Sequence, residues 1–165
     1  MIDTDPKDIG AIRPRRTKII PVLGVRLVRE DSIRVPVYDA NNVARIADEF
    51  ISDRATEHFL AFAMNNRDQV TGVHVVASGT MDNCIVHPRE VFRFALLVMA
   101  KYLIVAHNHP SGDIRPSHDD VNLTRKFIEA GKLLAIPVTD HVIVGENGDW
   151  FSMRHLDTID WGIRR

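Results

Sequence analysis

Tyr102-Leu103-Ile104-Val105-Ala106-His107-Asn108-His109-Pro110-Ser111-Gly112-Asp113-Ile114-Arg115-Pro116-Ser117-His118-Asp119-Asp120 is the stretch that decides how this chain is read. Its apolar start, Tyr102 to Ala106, reads as a buried strand, and His107 and His109 stand two apart at the end of it. Side chains alternate faces along extended backbone, so an i, i+2 pair puts both imidazoles on one side. A turn rich in Pro and Gly follows. Ser117 then opens a helix with Asp120 on its first turn, which returns a carboxylate towards the two histidines. Two imidazoles, one carboxylate and one open position are the donor set of catalytic rather than structural zinc. Ser117-x-x-Asp120 also has the form of a capping box, a purely local role that competes with the metal. The conjunction of His107-x-His109, seven residues, and Ser117-x-x-Asp120 is far more specific than either part. One Zn2+ per chain is therefore expected at His107, His109 and Asp120.

Taken together, these residues resemble the JAMM (MPN+) metalloprotease signature. The longer run His107 to Asp113, with Asp140-His141-Val142-Ile143-Val144-Gly145 downstream, is similar to the RadC-like branch of that family. The resemblance covers about Val35 to Met153. Between the two histidines the wider family usually has Ser or Thr; here the residue is Asn108, as in RadC-like members. The resemblance implies a three-layer α/β/α sandwich around a mixed β-sheet, similar to cytidine deaminases. It also implies a zinc metallopeptidase that cleaves a peptide or isopeptide bond with metal-activated water. A RadC-like accessory module associated with DNA repair, binding DNA or protein with little or no peptidase activity, is the alternative.

A zinc hydrolase also needs a proton acceptor and an oxyanion donor. Glu49 and Glu129 lie in amphipathic helices and read as solvated. Glu57 starts a strand expected inside the sheet, and Glu57-His58-Phe59-Leu60 resembles the setting of the family's strand-borne glutamate. It is assigned as general base, with Glu90 in reserve and an exposed strand-end charge as the competing reading. The Ser117 hydroxyl is expected to cap its helix or to donate to the tetrahedral intermediate, as the matching family serine does. Asp140 either orients a ligand imidazole from behind or is a simple turn acid.

Other chemistries fit poorly. A Ser-His-Asp triad on Ser111 would compete for both ligand histidines and lacks a nucleophile elbow. The letters His107-Asn108-His109 do not make an HNH nuclease, whose residues are spread over a ββα unit. The H-x-E and P-C-x-x-C pairing of zinc deaminases is absent.

With 165 residues, 45% hydrophobic and 26% charged, the chain suits one well-filled core. A single domain over 19–165 with a basic arm at 1–18 is expected. No apolar stretch is long enough to cross a bilayer and Met1 to Pro14 has no hydrophobic leader core, so a cytoplasmic location is expected. Cys84 stands alone, which excludes an internal disulfide and reads as a small buried side chain. Net charge is −1, but residues 1–34 carry eight Lys/Arg against five Asp/Glu, while residues 35–165 carry 13 against 17. Arg13, Arg15, Arg16 and Lys18 could contact nucleic acid, although no aromatic residues interleave them as a stacking surface would need.

Residues 19–37 have short apolar alternations suited to edge strands, open to pairing with a second copy in a homodimer. A helix capped by Asp39 or Asn41 has Val43, Ile46, Ala47, Phe50 and Ile51 on one face. Glu57 to Met64 and Gln69 to Ser78 form a hairpin about Asn65 to Asp68. His87-Pro88 opens a helix with Val91, Phe94, Ala95 and Val98 inward, closed by Lys101. The Ser117 helix is expected to run to about Ala130, stopped by Gly131, with Leu123, Phe127 and Ile128 in the core. Extended segments at Leu133 to Pro137 and His141 to Val144 lead to a turn at Glu146-Asn147-Gly148 before Trp150-Phe151-Ser152.

Overall fold

A computed structural model describes residues 36–37, 39–51, 54–79 and 86–162. The basic arm, the segment 19–35 and Cys84 lie outside the described residues. The described elements are α1 (Ala40–Phe50), β1 (Glu57–Met64), β2 (Val70–Gly79), α2 (Pro88–Leu97), β3 (Tyr102–Asn108), α3 (His118–Leu134), β4 (Val138–Val144) and β5 (Trp150–Ser152).

Local chemistry starts each helix. Asp39 accepts from the Asn42 N–H at 2.9 Å, which caps α1. Pro88 opens α2, where its missing N–H leaves nothing unpaired. Ser117 and Asp120 complete a reciprocal capping box at the start of α3. The turn between β4 and β5 has Asn147 and Gly148 at φ 57° and 85°, the left-handed pair that a tight hairpin requires.

The strands form one mixed sheet in the order β2-β1-β3-β4-β5, with β3 and β4 parallel and the other neighbours antiparallel. Leu60, Phe62, Met64, Ile104 and Ala106 pack on one face against Val43 and Ala47 of α1. Phe59, Ala61, Ala63, Leu103 and Val105 pack on the other against Val91 and Ala95 of α2 and Phe127 of α3. The result is the three-layer α/β/α sandwich. Burial on both faces explains why β1 and β3 are almost continuously apolar rather than alternating. A parallel β3–β4 pair needs a crossover, and α3 supplies it. Its N-terminus therefore starts beside the carboxyl end of β3, where ligands gather in such sheets. No helix among the described residues is long and apolar enough to cross a membrane.

Two boundaries differ from expectation. The helix α3 continues through Gly131 to Leu134, and the left-handed cap is Ala135 at φ 55°. Gly131 is needed for closeness rather than for stopping: a Cβ there would lie 2.6 Å from the Ile136 carbonyl oxygen. On α2, Phe92 is buried and Phe94 only partly so, because the helix turns a slightly rotated face to the sheet.

Candidate metal centre

The site forms where β3 leaves the sheet. His107 is the last residue of β3 to pair with β1, opposite Phe59, and its ring stacks on the Phe59 ring at 5.9 Å and 13°. His109 lies just beyond the strand, and Asp120 reaches in from the first turn of α3. The Nε2 atoms of His107 and His109 are 2.9 Å apart. Asp120 Oδ1 is 3.1 Å from the first, and Asp120 Oδ2 is 3.4 Å from the second. Donor atoms of all three residues fall within 4.8 Å of one another, the one such group found among the described residues.

The surrounding hydrogen bonds decide which nitrogens face inward. His109 Nδ1 is 2.5 Å from the Asp113 carbonyl oxygen, an acceptor, so this nitrogen carries the proton. On the other ring, His107 Nδ1 is 2.8 Å from His141 Nε2, and His141 Nδ1 is 2.6 Å from Thr124 Oγ1. Thr124 donates its only hydroxyl hydrogen to the Asp120 carbonyl oxygen at 2.6 Å. His141 Nδ1 must then donate to Thr124, His141 Nε2 accepts, and His107 Nδ1 donates. Both Nε2 atoms are left with lone pairs directed at each other and at a carboxylate. That arrangement makes sense for two imidazoles and a carboxylate sharing a cation, and this donor set fits a divalent metal.

The electrostatics agree. Burial acts to raise the Asp120 carboxyl, but the imidazoles of His107 and His109 beside it and the Ser117 hydroxyl outweigh burial and hold it well below the usual carboxylate range. The Asp120 carboxylate beside it raises His109. Complete burial pushes His141 well below the usual imidazole range, in keeping with a neutral ring that relays hydrogen bonds.

Glu57 opens β1 on the same face as Phe59, and the charges of His107, His109 and Asp120 all act on its carboxyl. Its net shift is upward, driven first by burial. Glu90 instead forms ion pairs with Arg93 at 3.0 Å and Arg89 at 3.4 Å on α2. The Ser117 hydroxyl donates to Asp120 Oδ2 at 2.6 Å, and its oxygen accepts from the Asp120 N–H at 3.1 Å. It thus caps the helix and aims the carboxylate together.

Asp140 does not reach a ligand imidazole. It accepts from the His141 N–H at 2.7 Å, Ser152 Oγ at 2.7 Å and the Arg154 N–H at 3.2 Å. Its carboxylate helps line a cavity of about 460 Å³ between α1 and the sheet, on the opposite face. Strand alternation gives the supporting position to its neighbour: His141, not Asp140, stands behind His107. With Thr124, it is the residue supporting His107 that sequence reasoning missed. The only signal was a histidine directly before the apolar run Val142 to Val144.

A mixed sheet with helices on both faces, a His-x-His pair at the end of a central strand and an aspartate on the following helix define a JAB-type domain. The chain belongs to the family of RadC-like JAB domains, whose profile matches residues 37–158. It is similar to a UPF0758 protein of Desulforamulus reducens, 38% identical over 142 residues, which are 86% of this chain and 63% of that protein. A UPF0758 protein of Thermosynechococcus vestitus is 46% identical over 103 residues, 62% of this chain and 41% of that one. A third, from Staphylococcus haemolyticus, is 34% identical over 144 residues, 87% of this chain and 63% of that one. The chain spans about three-fifths of the length of the first of these relatives.

Proposed function

We propose that this chain is a zinc-dependent metallohydrolase that cleaves an amide bond, in a peptide or an isopeptide-linked conjugate. The observation that carries the reading is the pair of inward Nε2 lone pairs on His107 and His109 meeting the Asp120 carboxylate. Such a set with an open position suits catalysis, since structural zinc is closed by four protein ligands. When bound, the metal supplies Lewis acidity and acidifies water.

The chain's own groups supply the rest. Glu57 accepts the proton of the attacking water and returns it to the leaving amine, a task favoured by a carboxyl raised through burial. Ser117 swings its hydroxyl from Asp120 to the oxygen of the tetrahedral intermediate while its backbone continues to start α3.

Elemental analysis of the purified protein, followed by cleavage assays on peptides, isopeptide conjugates and peptidoglycan-like amides, tests this reading. Glu57→Gln should keep its zinc and lose roughly 10²- to 10⁴-fold in turnover. Full turnover in that variant would remove Glu57 as base, and a wild-type protein without metal would remove the hydrolase.

A further inference from the structure

We propose that Asn108 is a positioning residue for Glu57: its side-chain amide stands in for a peptide group of the β3–β1 ladder and holds the backbone that carries the Glu57 carboxylate. The proposal rests on the reading of Glu57 as general base. Residue-by-residue pairing of β3 with β1 ends at Phe59 and His107. Three residues beyond His107, Pro110 has no N–H with which to continue a ladder. At that point the Asn108 side chain takes over. Its Oδ1 accepts from the His58 N–H at 2.9 Å, and its Nδ2 donates to the Thr56 carbonyl oxygen at 3.0 Å.

These two groups flank Glu57 on either side. On its other edge Glu57 pairs with Gly79 of β2, so the amide gives the first residue of β1 a partner on both edges. Asn108 is 1% exposed, and a buried amide must find partners within the protein. A primary amide carries a donor and an acceptor in one plane, as a peptide does. A carboxylate there would face the Thr56 carbonyl with no hydrogen to give, and a hydroxyl would have one heavy atom for two partners. The residue between the two ligand histidines thus ties the metal-bearing strand to the strand bearing the base.

The test uses cobalt-loaded protein, whose visible spectrum reports the ligand field and its change with pH. Wild type, Asn108→Ala, Asn108→Ser, Glu57→Gln and the double variant Asn108→Ala/Glu57→Gln are compared. Asn108→Ala should retain one cobalt per chain and move the midpoint of the pH-dependent spectral change in the same direction as Glu57→Gln. Added to Glu57→Gln it should move it no further, because the residue acts through Glu57. Hydrogen exchange at the His58 amide should quicken in both Asn108 variants. If Asn108→Ala does not fold, the same readings on Asn108→Ser decide. A wild-type midpoint in the Asn108 variants, or an equal shift in the presence and absence of the Glu57 carboxylate, overturns the proposal. A Glu57→Gln variant with the wild-type midpoint also overturns it, and it removes the base assignment while leaving the metal centre in place if cobalt is still bound.

Discussion

His107 Nδ1 lies 2.8 Å from His141 Nε2, so one fully buried histidine on β4 fixes the ring orientation of a candidate metal-ligand histidine on β3. Parallel pairing makes the contact: Val105 faces His141 and His107 faces Ile143 in register, and all four share one face of the sheet. Phe59 stacks on one ring and meets the other edge-on, leaving little room for either to turn.

His141→Ala should therefore weaken metal binding without abolishing it, by roughly 10- to 100-fold, the usual effect of removing a group that orients a ligand. Competition with a chromophoric chelator measures this directly. Thr124→Val, one step further along the chain of hydrogen bonds, should act in the same direction with a smaller effect. Unchanged affinity in both would deny the relay any role in holding His107.

Single replacement of His107, His109 or Asp120 by Ala should each abolish stoichiometric metal binding, since two protein ligands leave the first shell incomplete. Elemental analysis after gel filtration is the measurement. The fold should persist in circular dichroism, because most of the two apolar cores on either side of the sheet lies away from the site.

Asp140 provides a pH test away from the ligands. Burial raises its carboxyl, against hydrogen bonds from Ser152 and the His141 and Arg154 N–H groups. A carboxyl raised on folding contributes stability below its unfolded pKa of about 3.9, and that contribution is lost as pH rises through the folded value. The stability difference between wild type and Asp140→Asn should thus shrink from pH 4 to pH 7 in urea denaturation. A difference that grows with pH would contradict the shift.

Gly131→Ala should destabilise the protein by about 1–3 kcal/mol, as overpacking does, although Ala is the better helix former. The added Cβ would meet backbone, the Ile136 carbonyl oxygen at 2.6 Å, and backbone cannot step aside as a flexible side chain can. Urea denaturation would show the loss as a lower midpoint at unchanged slope.

The sequence by itself determined what depends on neighbours along the chain. The His107 and His109 pair on an apolar strand, the Ser117 and Asp120 capping box, Pro88 at a helix start and the Asn147-Gly148 turn are local. Spacing of a few residues dictates their geometry, and the apolar run Tyr102 to Ala106 marked β3 as a buried strand. Tertiary structure alone decided what depends on register between distant strands and on close approach of backbones. Shifting the parallel β3–β4 pairing by one residue would exchange the faces of Asp140 and His141, and no local signal sets that choice. Gly131 looked like a stop because glycine favours left-handed caps, yet its neighbour is a carbonyl brought close by the turn back into β4. Asn108 marked a departure in the string; its two bonds to the peptides around Glu57 exist only because β1, some 50 residues earlier, lies beside it.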